Sequence, residues 1–88
     1  MPVEPGREEH ADRVARGHAR AKSTHERAAV LHIQAAELYE EQADAHRERG
    51  NSDAANRAEE RARDERERAA TQERGAKIEQ ERLTSSNH

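Results

Sequence analysis

Apolar and small residues recur every three or four positions along the first half of the chain, which is the spacing of one face of an α-helix. We call this set the leucine stripe; it consists of Val14, Gly17, Ala21, Thr24, Ala28, Leu31, Ala35, Leu38, Gln42 and Ala45. Its seven-residue repeat continues without a shift, and no proline interrupts it. The pattern therefore predicts one long helix over about 7–49.

Two features near the start of this helix favour a break. Gly17 lowers helix stability by about 1 kcal/mol relative to alanine. The sequence 23–26, in which Ser23 precedes Glu26 by three residues, matches a capping box that is typical of a helix start. A kink at 17–24 is therefore the alternative, whereas the unshifted stripe favours a continuous helix.

The second half of the chain repeats the pattern with smaller residues. Alanine stands at positions 55, 62, 69 and 76, and leucine at 83, which predicts a second helix over about 53–83. Gly50 is the residue type that ends helices, and the three residues after it are all good helix N-caps, namely Asn51, Ser52 and Asp53. The predicted fold is an all-α antiparallel helical hairpin with a coiled-coil-like alanine seam.

The two ends of the chain have a different composition. Residues 1–6 contain both prolines and one glycine, and residues 84–88 are polar. We expect a disordered lead-in at 1–6, a helical hairpin at 7–83 and a disordered tail at 84–88.

Facing the leucine stripe toward the second helix predicts the packing of the hairpin. Ala35 then lies opposite Ala69, Leu31 opposite Gln72, and Leu38 opposite Glu65. The candidate packing residues are Ala21, Ala28, Leu31, Ala35, Leu38, Tyr39, Ala55, Ala62, Ala69 and Ala76. Alanine buries little area, and the leucines are poorly covered, so we expect self-association, with a dimer as the simplest form.

Composition limits the size of the core. Hydrophobic residues make up 31% of the 88 residues, 17 of them alanine, and charged residues make up 40% with a net charge of -3. Such a chain either self-associates and binds a protein partner, or behaves as a hydrophilin-like stress protein that is partly disordered until crowded or bound. Residues 13–27 are basic and 37–48 acidic, so antiparallel first helices would bring opposite charges together, unless both are simply solvated faces.

Four histidines, His18, His25, His32 and His46, share one heptad position with Tyr39. Residues seven apart lie about 10.5 Å apart along a helix, so no two of them share a metal ion. In the predicted register His32 faces Glu73 and His46 faces Glu59. These two pairs are candidate pH-sensitive contacts, which would raise the histidine pKa values and weaken the fold as pH rises. The alternative is that the rings only widen the packing face.

No motif indicates catalysis or a bound cofactor. The chain has no cysteine, no phosphate-binding glycine loop and no hydroxyl placed beside a histidine for nucleophilic attack. The arginines of 57–68 are balanced by acids and no aromatic residue accompanies the basic 13–27 segment, which argues against a regulatory nucleic-acid-binding protein, the third hypothesis. No apolar run of about 20 residues spans a membrane, and no apolar signal core is present. We expect a non-enzymatic cytoplasmic protein.

The turn region resembles one tetratricopeptide-like helix-turn-helix. The positions that match are Tyr39, Ala43, His46, Gly50, Ala55 and Ala62. Glu59 departs from the repeat, which has a large aromatic residue there, and only one copy is present. In its Ala-, Glu-, Arg- and His-rich helices the chain is also similar to small uncharacterised helical proteins of actinobacteria. Neither resemblance implies an activity.

Overall fold

The computed structural model describes residues 5–86, which form two α-helices joined by a short turn. Helix α1 spans Pro5–Glu48 and helix α2 spans Ser52–Ser86. The helices pack side by side in opposite directions and make a rod of 76 × 14 × 11 Å. The predicted all-α antiparallel hairpin is confirmed.

Both helices extend further outward than predicted. Helix α1 begins at Pro5 because proline has a backbone angle suited to the first helical position, where its missing N–H is not needed. Helix α2 continues to Ser86, and the Thr84 hydroxyl donates to the Gln80 carbonyl at 3.0 Å within it. The predicted lead-in and tail are therefore wrong at 5–6 and 84–86. Their remaining residues, 1–4 and 87–88, lie outside the described part of the chain.

Helix α1 is continuous through the segment where a kink was the alternative. Gly17 and residues 23–26 all lie within it. The Thr24 hydroxyl donates to the Arg20 carbonyl at 2.9 Å, a bond typical of a threonine inside a helix. The capping box is therefore unused, and the prediction of a continuous helix is confirmed.

The turn is a Schellman motif centred on Gly50. Its φ of 76° lies in the left-handed region that glycine adopts most easily. The Gly50 N–H donates to the Arg47 carbonyl at 2.9 Å, and the Asn51 N–H donates to the His46 carbonyl at 2.8 Å. These two bonds satisfy carbonyls at the end of α1 that would otherwise lack a partner.

Asn51 then starts the second helix. Its side-chain Oδ1 accepts a hydrogen bond from the Ala54 N–H at 3.2 Å. Asn51 is therefore the N-cap of α2, whereas Ser52 and Asp53 are its first helical residues.

Alanine forms the core between the helices. The buried hydrophobic residues are Ala29, Ala36 and Ala43 on α1, and Ala55, Ala58, Ala62, Ala69 and Ala76 on α2. We call the seven at heptad spacing, all but Ala58, the alanine columns. Among the described residues no large side chain is fully buried. Small side chains let the helix axes come close, toward the lower end of the usual 8–10 Å.

The predicted packing face of α1 is wrong. Leu31 is 65% exposed and Leu38 is 55% exposed, so the leucine stripe does not face α2. Their predicted partners bind histidines instead: Gln72 accepts from His25 and Glu65 pairs with His32. The face that α1 turns inward lies roughly 110° around the helix axis from the stripe.

The position of the N-cap generates a prediction. Asn51→Ala removes the acceptor for the Ala54 N–H and should lower the free energy of unfolding by about 1 kcal/mol. Ser52→Ala is the matched control and should change it by a few tenths at most, because serine at the first helical position does not cap the helix. Urea unfolding followed by circular dichroism measures both. A loss in Ser52→Ala that exceeds the loss in Asn51→Ala would show that the cap lies at Ser52.

Candidate functional site

Three histidines on α1 reach across the interface to polar side chains on α2. Each uses its Nδ1, and each partner contributes one side-chain oxygen. We call this set the histidine ladder; its rungs are His18–Glu79 at 2.5 Å, His25–Gln72 at 2.6 Å and His32–Glu65 at 2.5 Å. Each rung is seven residues further along α1 and seven residues further back along α2, so the ladder reports the register of the hairpin.

The partners determine which ring nitrogen carries the proton. Carboxylate and amide oxygens only accept hydrogen bonds, so Nδ1 is the donor in all three rungs. A neutral imidazole with its proton on Nδ1 is sufficient for this bond. The ladder therefore does not require charged histidines to hold the helices together.

The two carboxylates of the ladder are largely buried but fully partnered. The side chains of Glu65 and Glu79 are only 13% and 12% exposed. The second oxygen of Glu65 accepts from Arg68 at 2.7 Å, and that of Glu79 accepts from Arg82 at 3.2 Å. Within residues 6–85 no buried side-chain polar atom lacks a partner. This satisfies the condition under which buried polar groups are tolerated.

The ladder changes the acidity of Glu65. Its hydrogen bond from His32 lowers the pKa of the carboxyl group, and the hydrogen bond from Arg68 acts in the same direction. Burial opposes both effects because it disfavours the charged carboxylate. The net result is a pKa below the ordinary value, so Glu65 is held in its charged form.

Gly75 gives the middle rung its space. A Cβ placed on Gly75 would lie 3.0 Å from both Cε1 and Nδ1 of His25, closer than ordinary van der Waals contact. The imidazole therefore packs directly against the backbone of α2. Gly17, by contrast, has open space where a side chain would be.

Ion pairs border the ladder on the outer surface. Arg47 pairs with Glu59 at 2.6 Å, and Arg66 pairs with Glu40 at 2.5 Å. The Arg47–Glu59 hydrogen bond lowers the pKa of the glutamate and raises that of the arginine. All four side chains are at least 40% exposed, so solvent screens these pairs and they add little stability.

Tyr39 continues the histidine positions toward the turn, between the ladder and His46. It is half-buried, and the guanidinium of Arg61 lies 5.9 Å from the centre of its ring. That distance is within the range of a cation–π contact.

Both predicted pH-sensitive pairs are wrong. His32 binds Glu65, and Glu73 is exposed. Glu59 binds Arg47, while His46 lies half-buried beside the turn. The error has one cause: the predicted register placed the leucine stripe, rather than the histidines, against α2.

Sequence reasoning predicted a cross-helix polar contact for His32 alone among the ladder members and missed the other five, which are His18, His25, Glu65, Gln72 and Glu79. A signal for them was present. Hydrogen-bond acceptors stand at positions 65, 72 and 79 of α2, on the face that carries its alanines. Histidines stand at 18, 25 and 32 of α1 with the same seven-residue spacing. Two polar columns of equal spacing on antiparallel helices can pair along their whole length.

The leucine stripe is the second candidate site because it is left on the surface of α1. Leu31, Leu38 and Val14 are exposed, and Ala21, Ala28, Ala35 and Ala45 are only partly covered. A shallow groove beside Leu31 is lined by Ser23, Glu26, Arg27 and Val30. On α2 the large exposed hydrophobic residue is Ile78. The hairpin therefore buries one face of α1 and leaves the leucine stripe at its surface.

No group of three histidine, aspartate or glutamate side chains within 5–86 is arranged to hold a metal ion. Neither helix, over the residues described, has a stretch apolar enough to cross a membrane.

Comparison with protein-family models, with curated protein sequences and with solved structures finds no match for this chain.

The lowered pKa of Glu65 predicts acid sensitivity. A carboxyl group whose pKa is lower in the folded state contributes stability above its ordinary value of 4.5, and this is lost as pH falls through the folded value. Stability should therefore decline below about pH 4.5. Glu65→Gln should show a smaller decline over the same interval. Urea unfolding at a series of pH values from 7 to 3.5 measures both slopes.

The matched control for the acid series is Glu73→Gln, which neutralises an exposed glutamate on the same helix. It should keep the wild-type slope. A Glu65→Gln variant with an unchanged slope would contradict a role for this carboxylate in acid sensitivity.

The contact between Gly75 and His25 predicts that two glycines respond differently to alanine. Gly17→Ala should stabilise the protein by up to about 1 kcal/mol, because alanine favours the helix and meets open space. Gly75→Ala should gain less or destabilise, because the new methyl group pushes the His25 ring off Gln72. Thermal melts of both variants make the comparison. Equal gains would show that the ring moves aside without loss.

Proposed function

We propose that this protein is a non-enzymatic helical interaction protein of the cytoplasm, which self-associates as a dimer and presents charged surface to a protein partner. The observation that carries the proposal is the exposed leucine stripe. The buried carboxylates of α2 already receive their hydrogen bonds from the histidine ladder of α1, so the hairpin does not use the stripe.

Energetics support self-association. Alanines bury little area at about 25 cal/mol per Å², so the core of one hairpin contributes modestly. Full burial of a leucine contributes about 1.5–3 kcal/mol. Leu31 and Leu38 are more than half exposed, so most of this contribution is still to be gained. A second hairpin on the stripe would cover these side chains in both copies at once.

The solvent-facing surface of α2 supports the proposed binding of a protein partner. Helix α2 carries exposed arginines and glutamates along its whole outer face, from Arg57 to Arg82. Opposite charges alternate there, so the surface has no single sign that would favour a polyanion or a polycation. Mixed charge of this kind is suited to a protein partner with complementary pairs, which fix orientation more than affinity.

The composition of the core favours one alternative. Because the buried hydrophobic residues of the described chain are all alanines, a single hairpin is marginal. A hydrophilin-like stress protein would use this property: it would be partly disordered when dilute and become helical when crowded or bound. Circular dichroism at micromolar concentration separates the two, because a cooperative melt supports the interaction protein and weak helicity supports the alternative.

The dimer gives a direct test with a matched control. The wild-type protein should sediment as a dimer at micromolar concentration. Leu31→Lys combined with Leu38→Lys should give a monomer, because lysines prevent the stripe from being buried. Ile78→Lys changes an exposed hydrophobic residue of α2, 48% exposed, and should leave the dimer intact.

Circular dichroism must accompany the sedimentation. Both leucines are exposed in the hairpin, so the double variant should keep its helicity. A wild-type monomer, or a dimer that survives the double leucine substitution, would contradict the proposed use of the stripe. Pull-down with the wild-type and double variant as baits then identifies the partners that depend on the dimer.

A further inference from the structure

We propose that the occupant of the leucine stripe is the stripe of a second copy, docked antiparallel, so that α1 pairs with α1 across a two-fold axis. This inference rests on the proposed self-association and adds the surface and the orientation. Three observations carry it: the charges beside the stripe, the order of large and small residues within it, and the polar outer face of α2.

The charges beside the stripe change sign along the helix. The stripe consists of pairs of positions, such as 14 and 17, that repeat every seven residues. The residue directly before each pair borders the stripe on its solvent side. These flanking residues are, in order, Arg13, Arg20, Arg27, Gln34, Glu41 and Glu48. All six are exposed, and none forms an ion pair within the hairpin as described. The helix therefore offers a basic half, a neutral centre and an acidic half.

The order of these charges selects the orientation. In paired helices with a seven-residue repeat, the residues that border the seam face each other and determine which partner and direction are accepted. A parallel pair would place arginine beside arginine and glutamate beside glutamate. An antiparallel pair with full overlap places Arg13 beside Glu48, and Arg20 beside Glu41. Only the antiparallel arrangement brings opposite charges together.

The same alignment fits the shapes within the stripe. It places Leu31 opposite Ala28 of the second copy, and Leu38 opposite Ala21. Val14 then meets Ala45. Each large side chain is opposite a small one, so the two helices can interdigitate without a gap or a clash.

The pattern also identifies a second copy rather than a different chain. Reversing the stripe and its flanking residues places Arg13 and Arg20 at the positions of Glu48 and Glu41, and Arg27 at the position of the neutral Gln34. It also places each large side chain of the stripe at the position of a small one. Such self-complementarity is the property of a two-fold, isologous interface. The other border of the stripe is the histidine ladder, which α2 already covers. The outer face of α2 is mainly charged, and the exposed Ile78 stands there without a repeating apolar stripe around it.

Cross-linking between single cysteines tests the orientation, and the cysteine-free chain gives a clean background. Arg20→Cys and Glu41→Cys are made separately, mixed, allowed to exchange, and treated with a bis-maleimide linker shorter than about 15 Å. We expect cross-links between the two variants. Each variant alone should give few, because two copies of the same position would lie about 30 Å apart along antiparallel helices.

The outcomes separate this inference from the proposed function. Efficient cross-linking of each variant with itself would show parallel helices and overturn the inference. A dimer in sedimentation that yields no cross-link in any mixture would show that another surface is used, which overturns the inference while self-association stands. A protein that sediments as a monomer would remove the proposed self-association itself.

Discussion

The hydrogen-bond acceptors on the inner face of α2 constrain how the two helices can pack. Glu65, Gln72 and Glu79 stand between the alanines of that face, so any partner helix must supply donors opposite them. A buried carboxylate without a donor costs several kcal/mol. Full burial of a leucine contributes about 1.5–3 kcal/mol. The histidine positions of α1 therefore pack against α2 in place of the leucine stripe, although the stripe is more apolar.

The alanine columns and the histidine ladder depend on each other. A histidine side chain is short, and it reaches an acceptor on the opposite helix only when the backbones are close. Alanines on both helices permit that approach, and Gly75 permits it most closely beside His25. In return, the three rungs fix the register, because a shift of one residue would separate every donor from its acceptor. Alanine packing alone would specify the register weakly.

The constraint has a consequence for assembly. With its histidine face committed to α2, helix α1 keeps the leucine stripe on the outside, about 110° away around the axis. The histidine ladder thus fixes the pairing of the two helices over a core of alanines, and the larger apolar side chains of the stripe remain for the proposed association. The change of charge sign along the flank of the stripe favours the antiparallel orientation proposed for that association. Helix α1, with 44 residues, thus supplies one face for packing in the hairpin and another for the proposed assembly.

The sequence by itself determined the helices and the turn. Three local signals carry this information: the absence of proline after Pro5, the seven-residue repeats, and the glycine followed by three capping residues. The structures they predict are held by hydrogen bonds between residues close in sequence. The sequence also placed alanines 55, 62, 69 and 76 on one face of α2, where the structure buries them. The face of α1 and the register were decided only by the tertiary structure. Helix α1 has two stripes with a seven-residue repeat, the leucine stripe and the histidine positions. A sequence pattern can only compare their hydrophobicity, and that comparison favours the leucine stripe. The choice between them depends on which one can satisfy Glu65, Gln72 and Glu79, and that is a property of the pair of helices rather than of either sequence segment.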